Sequence, residues 1–200
     1  LLFNLACEQG VYEHDNVKLL LALCKPGTYY FDVGANIGLM SIPILQTLPD
    51  VHVVSFEPSP STFPYLEQTW ASCGFRSRWQ ILAKAVGNRS GASDFFVAEP
   101  TFGAFEGIVD TGRGGAKRSI KVPITTLDAE WAALGRPAVS AIKIDIEGSD
   151  LDALVGGKAC IAATRPYILI EWQLRNFRAY GRTSPMLLEC ANQIGYSVYS

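Results

Sequence analysis

Acidic residues lie at the ends of four runs that have the composition of buried strands. The runs end at residues 33, 56, 146 and 170, and the acids close to those ends are Asp32, Glu57, Asp145, Glu147 and Glu171. Because parallel strands end at the same edge of a sheet, we expect these carboxylates to converge. Converging carboxylates repel one another unless a cation or hydrogen-bond donors share their site. The pattern therefore predicts a site for a positively charged ligand that carries hydroxyl groups.

The sequence FDVGANIGLMSI, at residues 31–42, predicts a strand, a tight turn and a helix. Gly34 and Gly38 allow backbone conformations and close approaches that a Cβ would block. In a doubly wound sheet such a turn lies at the carboxyl edge, where ligands bind. Two other interpretations stay open. The first is an ordinary structural turn, because any parallel sheet uses glycine turns. The second is a dinucleotide site, which is weakened because such a site would place glycine where Asn36 stands.

S-adenosylmethionine has the expected chemistry, because its sulfonium and ammonium groups are cationic and its ribose carries a diol. Asp32 and the backbone of residues 34–38 are predicted to hold its methionine end. Glu57, at the end of the second strand, is predicted to accept hydrogen bonds from the ribose hydroxyls. Ala85, near the end of the third predicted strand, is expected to border the adenine ring.

Methyl transfer is an in-line displacement, so the protein must mainly hold the two reactants in line, which contributes on the order of 7–11 kcal/mol. If the acceptor is an alcohol, a base accelerates the reaction further, and Asp145 or Glu147 is the candidate. Alternatively, one of the two only orients the backbone or the ligand. A hard cation held by Asp145, Glu147 and Glu171 is a further alternative, but the prediction is that no metal is bound, since carboxylate clusters often exist without one.

Composition limits the classes of protein and partner. The 200 residues, 48% of them hydrophobic, fit one domain over residues 1–200, and we expect it to be excised from a longer chain. The formal net charge of -2 and the 18% charged residues argue against a nucleic-acid binder and favour a small-molecule or glycan acceptor. No run is long enough for a membrane span. Five scattered cysteines without metal-binding spacing indicate buried thiols and favour a cytoplasmic location.

The predicted elements alternate between strands and helices, which indicates an α/β fold with a doubly wound, mainly parallel Rossmann-like sheet. Core strands are predicted at residues 28–33, 51–56, 78–86, 139–146 and 166–170, and short strands at 93–97, after a hairpin-type turn at 87–91, and at 120–124. Helices are predicted at residues 1–10, 17–23, 39–47, 61–73, 149–160 and 184–194, with a further helix, ending at 134, that Thr125 and Asp128 cap. The glycine-rich residues 99–119 are assigned to substrate access or a lid, with simple surface looseness as the alternative.

Six motifs in order resemble the FkbM-type S-adenosylmethionine-dependent methyltransferases: FDVGANIG, FEPSP, AVGNRSG, TTLD, KIDIEG and ILIE. The resemblance extends over about residues 10–196. It implies a class I methyltransferase fold, here expected to lack the C-terminal strands, and O-methylation of a hydroxyl on a sugar, polyketide or other natural product. Oxidoreductase and non-catalytic binding functions on the same type of sheet are the alternatives.

The resemblance also assigns residues. By position, Asp32, Gly34, Asn36 and Gly38 are similar to the cofactor turn, Glu57 to the ribose acid, and Asp145 with Glu147 to the motif beside the transferred methyl group. Two departures stand out. Ser149 and Asp150 replace the usual alanine and glutamate, and Trp172 with Gln173 follows Glu171 where many members carry histidine. The missing histidine favours Asp145 or Glu147 as the base.

Overall fold

The computed structural model describes residues 12–98, 106–112, 115 and 117–199. The strands are β1 (Tyr29–Val33), β2 (His52–Phe56), β3 (Trp79–Leu82), β4 (Ala85–Val86), β5 (Gly91–Val97), β6 (Arg118–Thr125), β7 (Val139–Ile144) and β8 (Tyr167–Ile170). The helices are α1 (His14–Leu23), α2 (Ser41–Thr47), α3 (Phe63–Ser72), α4 (Leu127–Ala133), α5 (Asp150–Gly156), α6 (Lys158–Thr164), α7 (Leu174–Ala179) and α8 (Ser184–Gln193). The helix predicted at residues 1–10 lies outside the described residues.

The main sheet has five parallel strands in the order β3-β2-β1-β7-β8. Strand β1 lies at its centre, and every residue of its neighbour β7 is buried. This burial explains why the inner strands have apolar runs rather than an alternating pattern, since both faces of a parallel sheet are covered. The predicted α/β class with a mainly parallel sheet is confirmed.

Helices cover both faces of this sheet. On one face Tyr30 and Ala141 pack with Leu20 of α1, Ile44 of α2 and Leu66 of α3. On the other face, Phe31 and Ile142 pack with Leu151 and Leu154 of α5 and with Ile161 of α6. Successive strand residues point to opposite faces, so the two apolar clusters lie on opposite sides. The arrangement is doubly wound, as predicted.

A small second sheet has the order β4-β6-β5 and contradicts two predictions. Residues 78–86 do not form one strand: β3 pairs with β2, whereas β4 pairs with β6. Ala85 is buried in the apolar cluster of the small sheet, which draws the chain away from the main sheet. The turn at residues 87–91 is not the turn of a hairpin, because β6 lies between β4 and β5. The antiparallel pairing of β5 is confirmed.

Three helix predictions also needed correction. The helix predicted at residues 149–160 is divided into α5 and α6 at Gly157, where an added Cβ would lie close to the Leu127 side chain. Thr126, not Thr125, caps α4 by accepting a hydrogen bond from the Ala129 N–H at 3.1 Å. Asp128 is a cap, but of α6, where it accepts from two backbone N–H groups. Helix α7 was not predicted. No helix in the described part of the chain is long and apolar enough to span a membrane.

Candidate functional site

The acids at the strand ends lie at one edge of the main sheet, and three of them form a cluster. One carboxylate oxygen from each of Asp145, Glu147 and Glu171 lies within 4.8 Å of the others. Asp32 joins this group through the Lys143 ammonium, which lies between Asp32 and Asp145. Glu57 contacts the turn after β1 instead. Three of the acids therefore form a cluster, Asp32 is linked to it by Lys143, and Glu57 is a separate acid that contacts the turn.

Residues 34–38 form a compact turn in which backbone conformation matters. Gly34 and Gly38 have φ angles of 82° and 91°, and Asn36 has 51°. The N–H groups of Gly34 and Ala35 both donate to the Phe56 carbonyl, each at 3.0 Å. A Cβ on Gly34 would collide with the Asp145 carbonyl. Glycine at this position therefore allows the turn to lie directly against the end of β7.

Gly38 has a packing role of its own. A Cβ at this position would lie 2.9 Å from the Trp79 ring and 3.1 Å from Leu66. The turn therefore fits tightly onto the side chains beneath it. A contact of Gly38 with a cofactor stays a prediction. The same holds for Ala85, which is 4% exposed and lies in the apolar cluster of the small sheet.

Both carboxylate oxygens of Glu57 accept backbone hydrogen bonds, one of them from the turn at residues 34–38. Oε2 accepts a hydrogen bond from the Asn36 N–H, and Oε1 accepts one from the Ser59 N–H, each at 2.9 Å. Burial raises the pKa of Glu57 to about 7, although these two hydrogen bonds oppose the rise. Glu106 adds a smaller, repulsive contribution to the pKa of Glu57. Glu57 is thus a structural acceptor for the turn, and its predicted role towards a ribose remains a prediction.

A chain of buried polar groups leads from the sheet interior to Asp32. The Trp79 Nε1 donates to Ser55 Oγ at 2.8 Å, and the Ser55 and Ser41 hydroxyls lie 2.8 Å apart. Ser41 Oγ donates to Asp32 Oδ2 at 2.6 Å. The second oxygen, Oδ1, has no hydrogen-bond partner among the described residues. Burial raises the pKa of Asp32, while Lys143 and Ser41 oppose that rise.

Lys143 completes the site and was missed by the sequence predictions. It lies on β7 in register with Asp32 of β1 and is 6% exposed. Its Nζ donates to the Gly34 carbonyl at 2.9 Å and lies 3.2 Å from Asp145 Oδ2. Burial alone would lower the pKa of Lys143, but Asp145 and Asp32 outweigh it and the pKa is raised. The available signal was a lysine inside the apolar run VSAIKIDI.

The acids after β7 lie on an unusual backbone. Glu147 has a φ of 55°, a left-handed conformation that is strained for a residue with a long side chain, and Gly148 follows at 101°. A Cβ on Gly148 would lie 2.9 Å from the Asn176 carbonyl of α7. Strain of this kind is often concentrated at functional sites. Here α7, the helix that was not predicted, packs against the backbone that presents Glu147.

Glu171 is the acid of the cluster that follows β8, and its pKa is raised. Burial, and after it the nearby Asp145, raise the pKa of Glu171 to about 8. Its Oε1 accepts a hydrogen bond from Gln173 Nε2 at 3.0 Å. A carboxyl group with this pKa can hold or release a proton close to neutral pH. The cluster is thus suited to proton transfer, and its oxygen ligands would also suit a hard cation.

Residues 106–112 lie beside both parts of the site. Glu106 accepts hydrogen bonds from Ser61 Oγ at 3.0 Å and from the Ala98 N–H at 3.1 Å. The next residue, Gly107, forms a bridge with Phe96 of β5, and a Cβ there would lie 3.5 Å from the Cβ of Glu147. This segment therefore lies next to Glu147. The assignment of residues 99–119 to substrate access or a lid stays a prediction.

The fold and the turn at its carboxyl edge are those of a Rossmann-like methyltransferase domain of class I. One similar solved structure is the methyltransferase FkbM from Methylobacillus flagellatus KT, with a TM-score of 0.55 and 21% identity over 84% of this chain and 36% of that chain. The family model for the methyltransferase FkbM domain matches residues 32–194. The chain belongs to this family.

Two of the similar curated proteins are named as methyltransferases, and a third is a much longer synthetase. The chain is 24% identical to the 2-O-methyltransferase NoeI of Sinorhizobium fredii, over 78% of this chain and 67% of NoeI. It is 26% identical to the hexuronic acid methyltransferase AglP of Haloferax volcanii, over 80% of this chain and 62% of AglP. A third match, the AMB antimetabolite synthetase AmbE of Pseudomonas aeruginosa, is 24% identical over 88% of this chain, which spans only 10% of AmbE.

Proposed function

We propose that this methyltransferase uses S-adenosylmethionine to methylate a hydroxyl group on a small molecule or sugar. The observation that carries the proposal is the position of the turn at residues 34–38. It lies between the buried acids Asp32 and Glu57 and directly against the strand end that presents Asp145. Bound in this place, a cationic donor would face the clustered carboxylates. The acid-lined edge fits such a donor better than an anionic dinucleotide.

The donor would be held by the turn and its acids. Asp32, with one oxygen that lacks a hydrogen-bond partner in the described structure, retains a carboxylate acceptor for a cationic group. When bound, S-adenosylmethionine supplies a methyl group on a sulfonium. Gly34, Asn36 and Gly38 would position its methionine end and Glu57 its ribose. Ala85 would border its adenine ring.

The acceptor hydroxyl requires a group that takes its proton, and Asp145 and Glu147 are the two candidates. Asp145 Oδ2 already lies 3.2 Å from the Lys143 ammonium, so this carboxylate is engaged in an ion pair. We therefore favour Glu147 as the proton acceptor, with Glu171 beside it in the same cluster. The name of NoeI, a 2-O-methyltransferase, supports an oxygen as the acceptor atom, and the name of AglP, a hexuronic acid methyltransferase, supports a sugar as the acceptor. A cytoplasmic location stays a prediction.

Isothermal titration with S-adenosylmethionine tests donor binding. The parent chain is expected to bind, and the Asp32→Ala and Glu57→Ala variants are expected to bind at least about tenfold more weakly, the effect of about 1.4 kcal/mol. Asp94→Ala is the matched control, because Asp94 is an exposed acid on the small sheet. Absence of binding by the parent, or tighter binding of a nicotinamide dinucleotide, would overturn the proposal.

A screen of hydroxylated acceptors for a mass gain of one methyl group tests the reaction. With a responding acceptor, Glu147→Gln should lower the transfer rate by roughly 10²–10⁴-fold, which is a much larger effect than the weakening of donor binding that the loss of one negative charge causes. Asp145→Asn and Glu171→Gln are compared under the same conditions. If Glu147→Gln transfers methyl groups at the parent rate, the base is assigned wrongly. If no hydroxylated acceptor gains a methyl group while an amine does, O-methylation is wrong.

A further inference from the structure

Lys143 is a charged residue in the most buried strand of the sheet. It is 6% exposed, and its neighbours on β7, Ile142 and Ile144, are completely buried. Taking an ammonium group out of water costs several kcal/mol, and ion pairs often only offset that cost. Removing only one member of such an ion pair leaves the charge of the other member buried without compensation. The ammonium therefore has to be explained together with the two acids that it contacts, Asp32 and Asp145.

The Lys143 ammonium contacts both parts of the site. It donates to the Gly34 carbonyl on the turn at 2.9 Å, and it lies 3.2 Å from Asp145 and 3.7 Å from Asp32. The three partners belong to different segments: Asp32 to β1, Gly34 to the turn that follows it, and Asp145 to the end of β7. Asp32 Oδ1, at 3.7 Å, is an ion-pair partner that accepts no hydrogen bond from the ammonium. Lys143 is thus a direct link between the turn and Asp145.

We propose that Lys143 is a positioning residue for methyl transfer: it ties the Asp145 carboxylate to the turn at residues 34–38 and balances the charge of Asp145 and Asp32. The inference rests on the proposed function, because the turn must bind the methyl donor. Two carboxylates with one ammonium leave a formal charge of one negative unit. Without Lys143 the same place would carry up to two, and the Gly34 carbonyl would lose its donor.

The charge provides a readout that a purely structural role would not change. S-adenosylmethionine is a sulfonium, whereas S-adenosylhomocysteine is the corresponding neutral thioether. Lys143→Met should weaken binding of the thioether about tenfold or more, since a buried hydrogen bond from a charged group is lost. It should also raise the preference for the sulfonium over the thioether about threefold or more, because the extra negative charge attracts the sulfonium, which the thioether lacks, while the ammonium group is common to both ligands. Nonspecific damage to the fold would lower the affinity for both ligands equally.

The experiment is titration of both ligands, at pH 8.5, into the parent, Lys143→Met and the double variant Lys143→Met/Asp145→Asn. The double variant restores the parent's formal charge, so its preference should return to the parent value while the thioether still binds more weakly. If the single variant does not fold, the double variant still tests whether the loss of Lys143 weakens binding of the thioether. Lys121→Met is the control, because it removes an exposed ion pair on the small sheet.

The inference about Lys143 is wrong if Lys143→Met prefers the sulfonium over the thioether only as much as the parent does. It is also wrong if the double variant binds the thioether as tightly as the parent. Those results leave the proposed function intact, provided that the parent binds S-adenosylmethionine. If the parent binds neither ligand, the proposed function fails, and the inference about Lys143 falls with it. Thermal unfolding of each variant, measured without ligand, shows whether the protein under titration is folded.

Discussion

The Glu57 carboxylate accepts a hydrogen bond from the Asn36 N–H at 2.9 Å and so connects the end of β2 to the turn that follows β1. Asn36 has a left-handed backbone, with a φ of 51°. Asparagine tolerates this conformation better than most residues. The hydrogen bond fixes that conformation from a neighbouring strand. An acid that the sequence suggests for ligand binding is thus also part of the scaffold of the site.

Glu57→Gln should change how stability depends on pH. The pKa of Glu57 is raised from 4.5 to about 7 by burial, so the folded state binds a proton that the unfolded state has already released. Stability from this group is therefore present below pH 4.5 and is lost as the pH rises to about 7. The free energy of unfolding of the parent, relative to the variant, should fall by up to about 3 kcal/mol across this window.

Urea unfolding of both proteins at several pH values between about 4.5 and 7.5 measures this difference. Glu67→Gln is the control, because Glu67 is an exposed acid on α3. The stability curve of each variant is compared with that of the parent. Parallel curves for Glu57→Gln would mean that its pKa in the folded protein is close to the ordinary value.

Gly34→Ala should be much more damaging than the same change at Gly27. Both glycines have left-handed φ angles, 82° and 73°. A Cβ on Gly34 would collide with the Asp145 carbonyl, whereas a Cβ on Gly27 would meet nothing within 4 Å. We expect Gly27→Ala to cost about 1 kcal/mol and Gly34→Ala about 2–4 kcal/mol. Chemical unfolding compares the two variants. Equal losses would show that the turn can move away from β7.

The sheet and the acids could be predicted because they depend on local patterns. Parallel strands that are buried on both faces have continuous apolar runs, such as VHVVSF, and their ends share an edge whatever the details of packing. The convergence of Asp145, Glu147 and Glu171 follows from this geometry alone. The pattern could not indicate that Glu57 binds the turn, because that hydrogen bond depends on the conformation of Asn36.

The missed features depend on contacts between distant parts of the chain. Residues 78–86 have the composition of one strand, and only the pairing of Ala85 with Ile124 divides them. At Gly157, between α5 and α6, a Cβ would lie 3.0 Å from the Leu127 side chain, a contact that the helical pattern does not show. Lys143 would be placed at the surface by its type. It is buried because two acids, one of them on another strand, compensate its charge.

Glu106→Ala should loosen the segment beside the site. The change removes the acceptor of the Ala98 N–H and of the Ser61 hydroxyl, and a buried donor without a partner costs about 1–3 kcal/mol. We expect faster amide hydrogen exchange at residues 96–98 and 106–112, with little change in the main sheet. Glu67→Ala is the control, because Glu67 is an exposed acid on α3. Unchanged exchange in Glu106→Ala would show that other contacts hold the segment.

Divalent cations should not be required for donor binding. A cation at Asp145, Glu147 and Glu171 would compete with the Lys143 ammonium, which already lies 3.2 Å from Asp145. It would also compete with the proton on Glu171, whose pKa is raised to about 8 by burial. We therefore expect the affinity for S-adenosylmethionine and the melting temperature to stay the same, within about 1 °C, in chelator and in millimolar Mg²⁺ or Mn²⁺. A melting temperature that rises with the metal in the parent and in the exposed-acid control Asp94→Asn, but not in Glu171→Gln, would contradict this prediction and identify the cluster as a metal site.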